Sequence, residues 1–368
     1  MKVPIIDLVA SYNEQKEALN NAAIEVLSSG YYVSGPKVAE LEKVIADYCG
    51  SESAIAVASG TEALRLVLQA MNVGVSDEIL TPVFTFFACA STIAINNAKP
   101  VFVDMHPDDF NLDPDDIMRR ITPKTRGIVV VHLYGYPARM DEILKIAKKH
   151  KLFVIEDCAQ AIGAEYNGNK VGSMGDAGTY SFYPTKNLHA CGEGGMIISS
   201  NVDLVEKLRL LRSHGENPRY HHHLLGLNCR MDEIQAAFIR VKFDLLDKWN
   251  NRRKEIAGLY NDAFKDSEIK IPPVKNASSE PVYHTYTIRA KNRDKLVDWL
   301  KSREIGVMLY YPVPMHLQPV FKNLGYSQGD YPNAESACKE VLSIPIDPHL
   351  TNDQVEYVIE SINQFLKS

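Results

Sequence analysis

The sequence lacks any run of about 20 apolar residues, the length a membrane-spanning helix requires. Its N-terminal stretch MKVPIIDLVASYNEQ is interrupted at Asp7 and offers no signal-peptide core, so a soluble, cytoplasmic protein is expected. Basic charge is not in excess: 40 Lys and Arg stand against 46 Asp and Glu, a formal net charge of −6. That balance argues against broad contact with nucleic acid or an anionic membrane, and neither is expected as a partner. The six cysteines (Cys49, Cys89, Cys158, Cys191, Cys229 and Cys338) never form a CxxC pair, and several lie in apolar runs, as reduced core thiols do. No GxGxxG follows the first strand-like run and no GxxxxGK[ST] occurs, which argues against dinucleotide-binding and P-loop units. HExxH and Cys/His clusters of zinc spacing are missing too, and no metal is expected. The consecutive His221, His222 and His223 would diverge on any regular backbone and read as a polar loop. Internal repeats and low-complexity tracts are also missing.

At about 150 residues per domain, the 368 residues suggest two or three domains. From residue 53 short apolar runs at 53–58, 78–82, 100–103, 127–133 and 152–155 read as buried strands. Helix-period segments lie between them: Leu64, Val67, Leu68 and Met71 share one face, as do Met140, Ile143, Leu144 and Ala147. This alternation predicts a mostly parallel sheet covered by helices. Two more strand-like runs, 178–183 and 195–199, flank a polar loop. Residues 231–264 read as one continuous charged helix, 271–281 as a proline-containing loop, and 283–290 as an antiparallel strand. Helices are expected over 293–303 and 351–366, the last opened by a Thr351/Gln354 capping box. The division expected is 1–250 for a large domain and 251–368 for a smaller α/β domain.

Three elements could carry chemistry together. Ser59-Gly60-Thr61-Glu62 is a small-residue turn between a strand and a helix, where free N–H groups and the Thr61 hydroxyl suit a phosphate; an ordinary helix cap reads the same way. Asp157 ends a buried strand, where open α/β sheets bind ligands, with Gln160 in reach of the same ligand; a cap on a following helix is the alternative. Lys186 lies in a loop between two buried strands, after Pro184 and before Gly192, Gly194 and Gly195. Partial burial there would lower its pKa and make it a nucleophile toward carbonyls.

In this order, SGTEAL from Ser59, EDCAQ from Glu156, SFYPTKNL from Ser181 followed by GEGG, and GLNCRMDEIQAA from Gly226 resemble the DegT/StrS family of pyridoxal-phosphate-dependent nucleotide-sugar aminotransferases. The resemblance runs from Ser34-Gly35-Pro36 to Tyr310 and His316, nearly the whole chain. It implies the fold type I aminotransferase architecture: an α/β large domain with a mostly parallel sheet, plus a smaller C-terminal α/β domain. It also implies that Lys186 binds pyridoxal 5′-phosphate covalently, that Asp157 pairs with the ring nitrogen, and that Gln160 lies near the 3-oxygen. Gly60, Thr61 and Ser181 would hold the phosphate, and Phe86 would stack on the ring. Asn228 would reach the phosphate of a neighbouring subunit, making the active form a homodimer with shared sites. The implied reaction is ping-pong, with pyridoxamine phosphate left after the first half. Family dehydratases carry histidine in place of the cofactor lysine, so Lys186 favours amino transfer. His189 reads as loop structure or a substrate-side contact.

Residues 219–231 and 310–316 resemble the subgroup acting on UDP-2-acetamido-2-deoxy-3-oxo-hexuronate. That resemblance implies Arg230, Tyr310, Tyr311 and His316 as substrate-binding residues, with an amino acid, L-glutamate, as donor. The alternatives are a dTDP-3-oxo-6-deoxyhexose or a C4-oxo sugar as acceptor. More distant are a sugar dehydratase and a non-catalytic regulator on the same fold.

Overall fold

The computed structural model describes residues 1–275 and 277–368; Asn276, within the loop read at 271–281, lies outside the described residues. The central sheet comprises β1 (Ser53–Val57), β2 (Glu78–Pro82), β3 (Lys99–Val103), β4 (Thr125–Val131), β5 (Phe153–Asp157), β6 (Ala177–Ser181) and β7 (Gly195–Ser199). Their spatial order is β1-β7-β6-β5-β4-β2-β3, and β7 alone runs antiparallel to its neighbours β1 and β6. The remaining pairs are parallel, as the strand–helix alternation predicts. Both faces are buried: Ile55, Ile79, Val129 and Ile155 enter one apolar cluster, while Leu80, Ile128, Val130 and Val154 enter another. Fully apolar strands follow from having helices on both sides.

The parallel register sets Val131, Asp157 and Thr179 abreast at the strand ends, so the loops leaving β4, β5 and β6 emerge side by side. The helix Gly60–Ala70 starts where β1 ends, capped by the Ser59 side chain, which accepts from the Glu62 N–H at 3.2 Å. No helix follows β5, so Asp157 is not a helix cap.

Residues 1–52, which precede the strand–helix alternation read from residue 53, hold three helices, Leu8–Glu14, Lys16–Ser29 and Pro36–Cys49. The single helix expected at 231–264 is two, Glu233–Phe243 and Leu246–Phe264. No proline or glycine marks the break. The turn at Asp244 re-aims the chain so that Leu246, Trp249 and Asn250 become buried, a tertiary choice that helix propensity does not encode. The loop expected at 271–281 ends in a short strand, Ser279–Glu280, paired with Glu165–Tyr166.

Tyr286–Arg289 pairs antiparallel with Val341–Ile344, and the helices Arg293–Ser302 and Asn352–Leu366 pack beside them. The Thr351/Gln354 capping box is formed. These elements share an apolar cluster with Ile256, Tyr260 and Phe264, and Val3 joins it from the other end of the chain. Val3 is held by backbone bonds to Glu304 and Gly306. Among the described residues no helix is long and apolar enough to cross a membrane.

Candidate active site

A cavity of about 540 Å³ opens at the C-terminal ends of β4, β5 and β6, the ligand position of open α/β sheets. It gathers Gly60, Thr61, Phe86, Asp157, Gln160, Ser181, Lys186, Tyr310 and Tyr311 from the residues singled out in the sequence.

The start of the helix Gly60–Ala70 is pressed against the end of β6. A Cβ on Gly60 would lie 2.7 Å from Ser181 Cβ, so only glycine allows the approach. Gly195 is equally constrained, since a Cβ there would lie 2.4 Å from the Ser59 carbonyl group. The result is a turn with the hydroxyls of Ser59, Thr61 and Ser181 and the N–H groups of a helix N-terminus on one cavity wall.

Asp157 is buried at the end of β5. Its Oδ1 accepts from the Ala159 N–H at 3.0 Å, and its Oδ2 accepts from the Cys89 thiol at 3.1 Å. Burial and the Asp157 charge push the Cys89 thiol up, so it stays a proton donor. Burial lowers the Lys186 ammonium to about 8, with the Asp157 charge opposing the shift. Among the described residues, Nζ of Lys186 has no hydrogen-bond partner. A lysine so placed is substantially neutral near pH 8 and can attack a carbonyl.

Gln160 is fixed in orientation: Oε1 accepts from the Tyr134 N–H at 2.7 Å, and Nε2 donates to the Tyr311 hydroxyl at 3.1 Å. Phe86 is half exposed to the cavity mouth, 6.3 Å from the Tyr311 ring.

Four residues singled out in the sequence lie elsewhere. Asn228 is exposed and Arg230 partly exposed on a segment tied to the turn at Ser59 by the Ala58 N–H to Cys229 carbonyl bond, yet neither lines the cavity. His316 is buried away from it, with Nε2 3.1 Å from Glu335 Oε1 and its ring 4.7 Å from that of Tyr331. His189 is also buried outside the cavity, bonded to the Lys186 carbonyl and Ser11 and stacked on Trp249. Sequence reasoning missed Thr85, Tyr183, Glu193, His284, Thr285 and Met308, all cavity-lining. Tyr183 and Glu193 lie inside the SFYPTKNL and GEGG motifs but carry no signal of their own there, and Thr85, His284, Thr285 and Met308 read as ordinary strand or loop residues.

The buried trio His132, Glu156 and Cys158 has metal-type ligand atoms close together. Its carboxylate is already saturated: the N–H groups of Gly172, Met174 and Gly175 and Nε2 of His132 all reach Glu156. That set braces the chain beside Asp157 and has no open position.

The description of the DegT/DnrJ/EryC1/StrS aminotransferase family matches residues 13–363. The chain is 47% identical to a pleiotropic regulatory protein of Geobacillus stearothermophilus over 369 residues, covering 100% of this chain and 99% of that one. It is 39% identical to the dTDP-3-amino-3,4,6-trideoxy-alpha-D-glucose transaminase of Streptomyces venezuelae (99% and 96% covered). To the UDP-2-acetamido-2-deoxy-3-oxo-D-glucuronate aminotransferase of Pseudomonas aeruginosa it is 35% identical (98% and 99% covered). The crystal structure of S. venezuelae DesV superposes with a TM-score of 0.97 at 39% identity, covering 100% and 99% of the two chains. A sugar aminotransferase structure from Streptococcus pneumoniae in its PLP form superposes at 0.91 with 27% identity, covering 95% and 96%.

The cavity suits pyridoxal 5′-phosphate on its own chemistry. It offers a hydroxyl-lined helix start for a phosphate, a buried carboxylate for a cationic ring nitrogen, and an unpartnered amine of lowered pKa for the aldehyde.

Proposed function

The chain belongs to the DegT/DnrJ/EryC1/StrS aminotransferase family, and on that footing we propose that it aminates C3 of UDP-2-acetamido-2-deoxy-3-oxo-D-glucuronate with L-glutamate as donor. It is a sugar aminotransferase whose cofactor is pyridoxal 5′-phosphate. The observation that carries the uronate is Arg230. Its guanidinium is partly exposed and has no acidic partner among the described residues, so it is free to take a substrate carboxylate in a bidentate pair.

When bound, the cofactor supplies an electron sink for the carbanion left by proton loss. Asp157 would hold the proton on the ring nitrogen, its carboxylate being fixed by the Ala159 N–H on Oδ1 and the Cys89 thiol on Oδ2. Ser181, Thr61 and the N–H groups at Gly60 would hold its phosphate, and Phe86, at the cavity mouth, would lie against its ring. Lys186 Nζ would anchor the cofactor and, when free, would carry the proton that leaves donor Cα; its lowered pKa suits it both to take and to return that proton. Tyr310 and Tyr311 line the same cavity and would meet the substrate there.

The active form is a homodimer in this reading. Asn228 and Arg230 lie outside their own protomer's cavity, and exposed Ile24, Leu27, Tyr31, Tyr32, Leu225 and Leu227 offer apolar area for a second copy. Two-fold pairing would bring Asn228 and Arg230 to the partner's site.

A dTDP-3-oxo-6-deoxyhexose is the second reading, favoured by the higher identity to the S. venezuelae transaminase, 39% against 35%. Comparing kcat/KM for the two acceptors decides between them. A preference of tenfold or more, roughly 1.4 kcal/mol, is expected for the uronate. A preference for the neutral sugar replaces the first reading with the second.

A further inference from the structure

Cys191 differs from the other five cysteines in being exposed; Cys49, Cys89, Cys158, Cys229 and Cys338 are all buried. It sits in the loop between Lys186 and Gly195, which is held in place around it. The Ala190 N–H donates to the Phe182 carbonyl at 2.7 Å, and the Phe182 N–H donates to the Gly194 carbonyl at 2.8 Å. The Cys191 N–H itself donates to Gln235 Oε1 at 2.9 Å, which fastens the residue to the helix Glu233–Phe243.

Lys242 follows Gln235 by about two turns and so shares its face of that helix. It is only 2% exposed. Among the described residues the one polar partner of its Nζ is Cys191 Sγ, at 3.4 Å. A buried ammonium is ordinarily paired with a carboxylate or several carbonyls, whereas this one faces a single sulfur. Burial pushes the Lys242 ammonium down, with Cys191 opposing the shift, and this raises the share of neutral amine. An accessible thiol is thus set against an inaccessible amine, so a dissolved oxidant meets the sulfur first.

We propose that Cys191 and Lys242 form a redox-sensitive modification site, in which hydrogen peroxide oxidises the thiol and the lysine then closes a sulfur–nitrogen bond. The inference is independent of the sugar and of the cofactor. In the first step Sγ attacks one peroxide oxygen: an S–O bond forms, the O–O bond breaks, and the other oxygen leaves as water with the thiol proton. Sulfur gives up an electron pair to the peroxide and becomes a sulfenic acid. In the second step the Nζ lone pair attacks Sγ: the S–N bond forms, the S–O bond breaks, and the leaving hydroxide takes a proton from nitrogen as water. No electrons are exchanged with any further reagent, and the product is a sulfenamide. Gln235 already holds Cys191 on the lysine's helix, so the flexible lysine stem can close the remaining gap by rotation. The bond would brace onto that helix the loop carrying Lys186 and Glu193, both of which line the cavity.

Peptide mass spectrometry of the full-length protein tests this directly. Reduced, desalted protein is treated with hydrogen peroxide and digested with trypsin in the absence of reductant. The expected product joins residues 187–207 to residues 241–248, with cleavage after Lys242 blocked and a mass about 2 Da below the sum of the two peptides. A thiol reductant should separate the two and restore cleavage. Lys242→Met removes the amine together with a buried charge, so the variant should fold. In it Cys191 should remain a sulfenic acid, captured by a cyclic dione at roughly tenfold the wild-type level. Cys191→Ser should give no linked peptide. Dione capture of Cys191 in wild type as complete as in Lys242→Met, with Lys242 still cleaved, overturns the proposal. So does a Cys191 that stays reduced under peroxide. A linked pair about 14 Da above the sum, which would set an oxygen between the two atoms, also overturns it.

Discussion

Gly60 and Ser181 approach each other so closely that a single methyl group on Gly60 would lie 2.7 Å from Ser181 Cβ and 3.2 Å from Ser181 Cα. The contact joins a helix start to a strand end and lines up three hydroxyls on one wall. A cradle built this way tolerates almost no displacement.

Gly60→Ala should push the helix start away from Ser181 and weaken cofactor binding by roughly tenfold, about 1.4 kcal/mol. Titration of cofactor-free protein with pyridoxal 5′-phosphate, followed by absorbance, measures this. Unchanged affinity would show that the wall is not the phosphate site.

Lys186 supplies a pH prediction. Burial lowers its ammonium to about 8, so the neutral, nucleophilic fraction grows as pH rises through that value. The rate at which cofactor-free protein captures pyridoxal 5′-phosphate should therefore rise with pH and reach half its plateau near pH 8. A midpoint close to the ordinary lysine value would mean that the amine is solvated. Borohydride reduction and peptide mapping should place the label on Lys186.

Asp157→Asn should fold, because its amide oxygen can still accept from the Ala159 N–H while its NH2 takes the place of Oδ2 and can donate to the Cys89 sulfur. It loses the negative charge that holds a ring-nitrogen proton. Turnover should fall by about 100-fold or more, roughly 2.7 kcal/mol, with little change in Tm. Near-normal turnover would reduce Asp157 to a structural acceptor.

Arg230→Lys keeps the charge and loses the planar fork. The expected outcome is a loss of about tenfold in kcat/KM for the uronate, with the neutral 6-deoxy sugar nearly unaffected. Equal losses for both would make Arg230 an interface brace.

Shared sites predict complementation. Asn228→Asp, which sets a carboxylate against a phosphate, and Lys186→Ala should each be nearly inactive alone. Mixed and reassorted, half of the dimers become hybrids with one intact site, so about a quarter of wild-type activity should return. If the mixture stays inactive while size measurements report dimers, Asn228 acts within its own subunit or not at all.

The strands, the helix after Ser59 and the cavity residues Lys186, Asp157 and Ser181 were legible because each is written locally. An apolar run ends, and a glycine, carboxylate or lysine follows within a few residues. What stayed hidden depends on distant partners. Nothing near His284 announces that Asn187 and Asn250 orient it, and nothing at Asp244 announces the turn that buries Trp249. His316 follows the cavity tyrosines by only a few residues, yet Glu335 and Tyr331 draw its ring into the core. The N-terminal helices are a mixed case: Val38, Leu41 and Ile45 of Pro36–Cys49 share a buried face, whereas the exposed Ile24 and Leu27 of Lys16–Ser29 blur a one-sided pattern.

Val3 is fully buried in the C-terminal cluster, bridged to Ile305 and bonded to Glu304 and Gly306. During synthesis this residue leaves the ribosome long before the segment that seats it. At about 5–20 residues per second, the wait for Ile305 is on the order of 15–60 s. For that interval Val3 stays unseated while the central sheet can already be complete. The C-terminal core is thus clasped by a residue made long before it, and it stays open to chaperones and proteases until Ile305 and Gly306 have emerged.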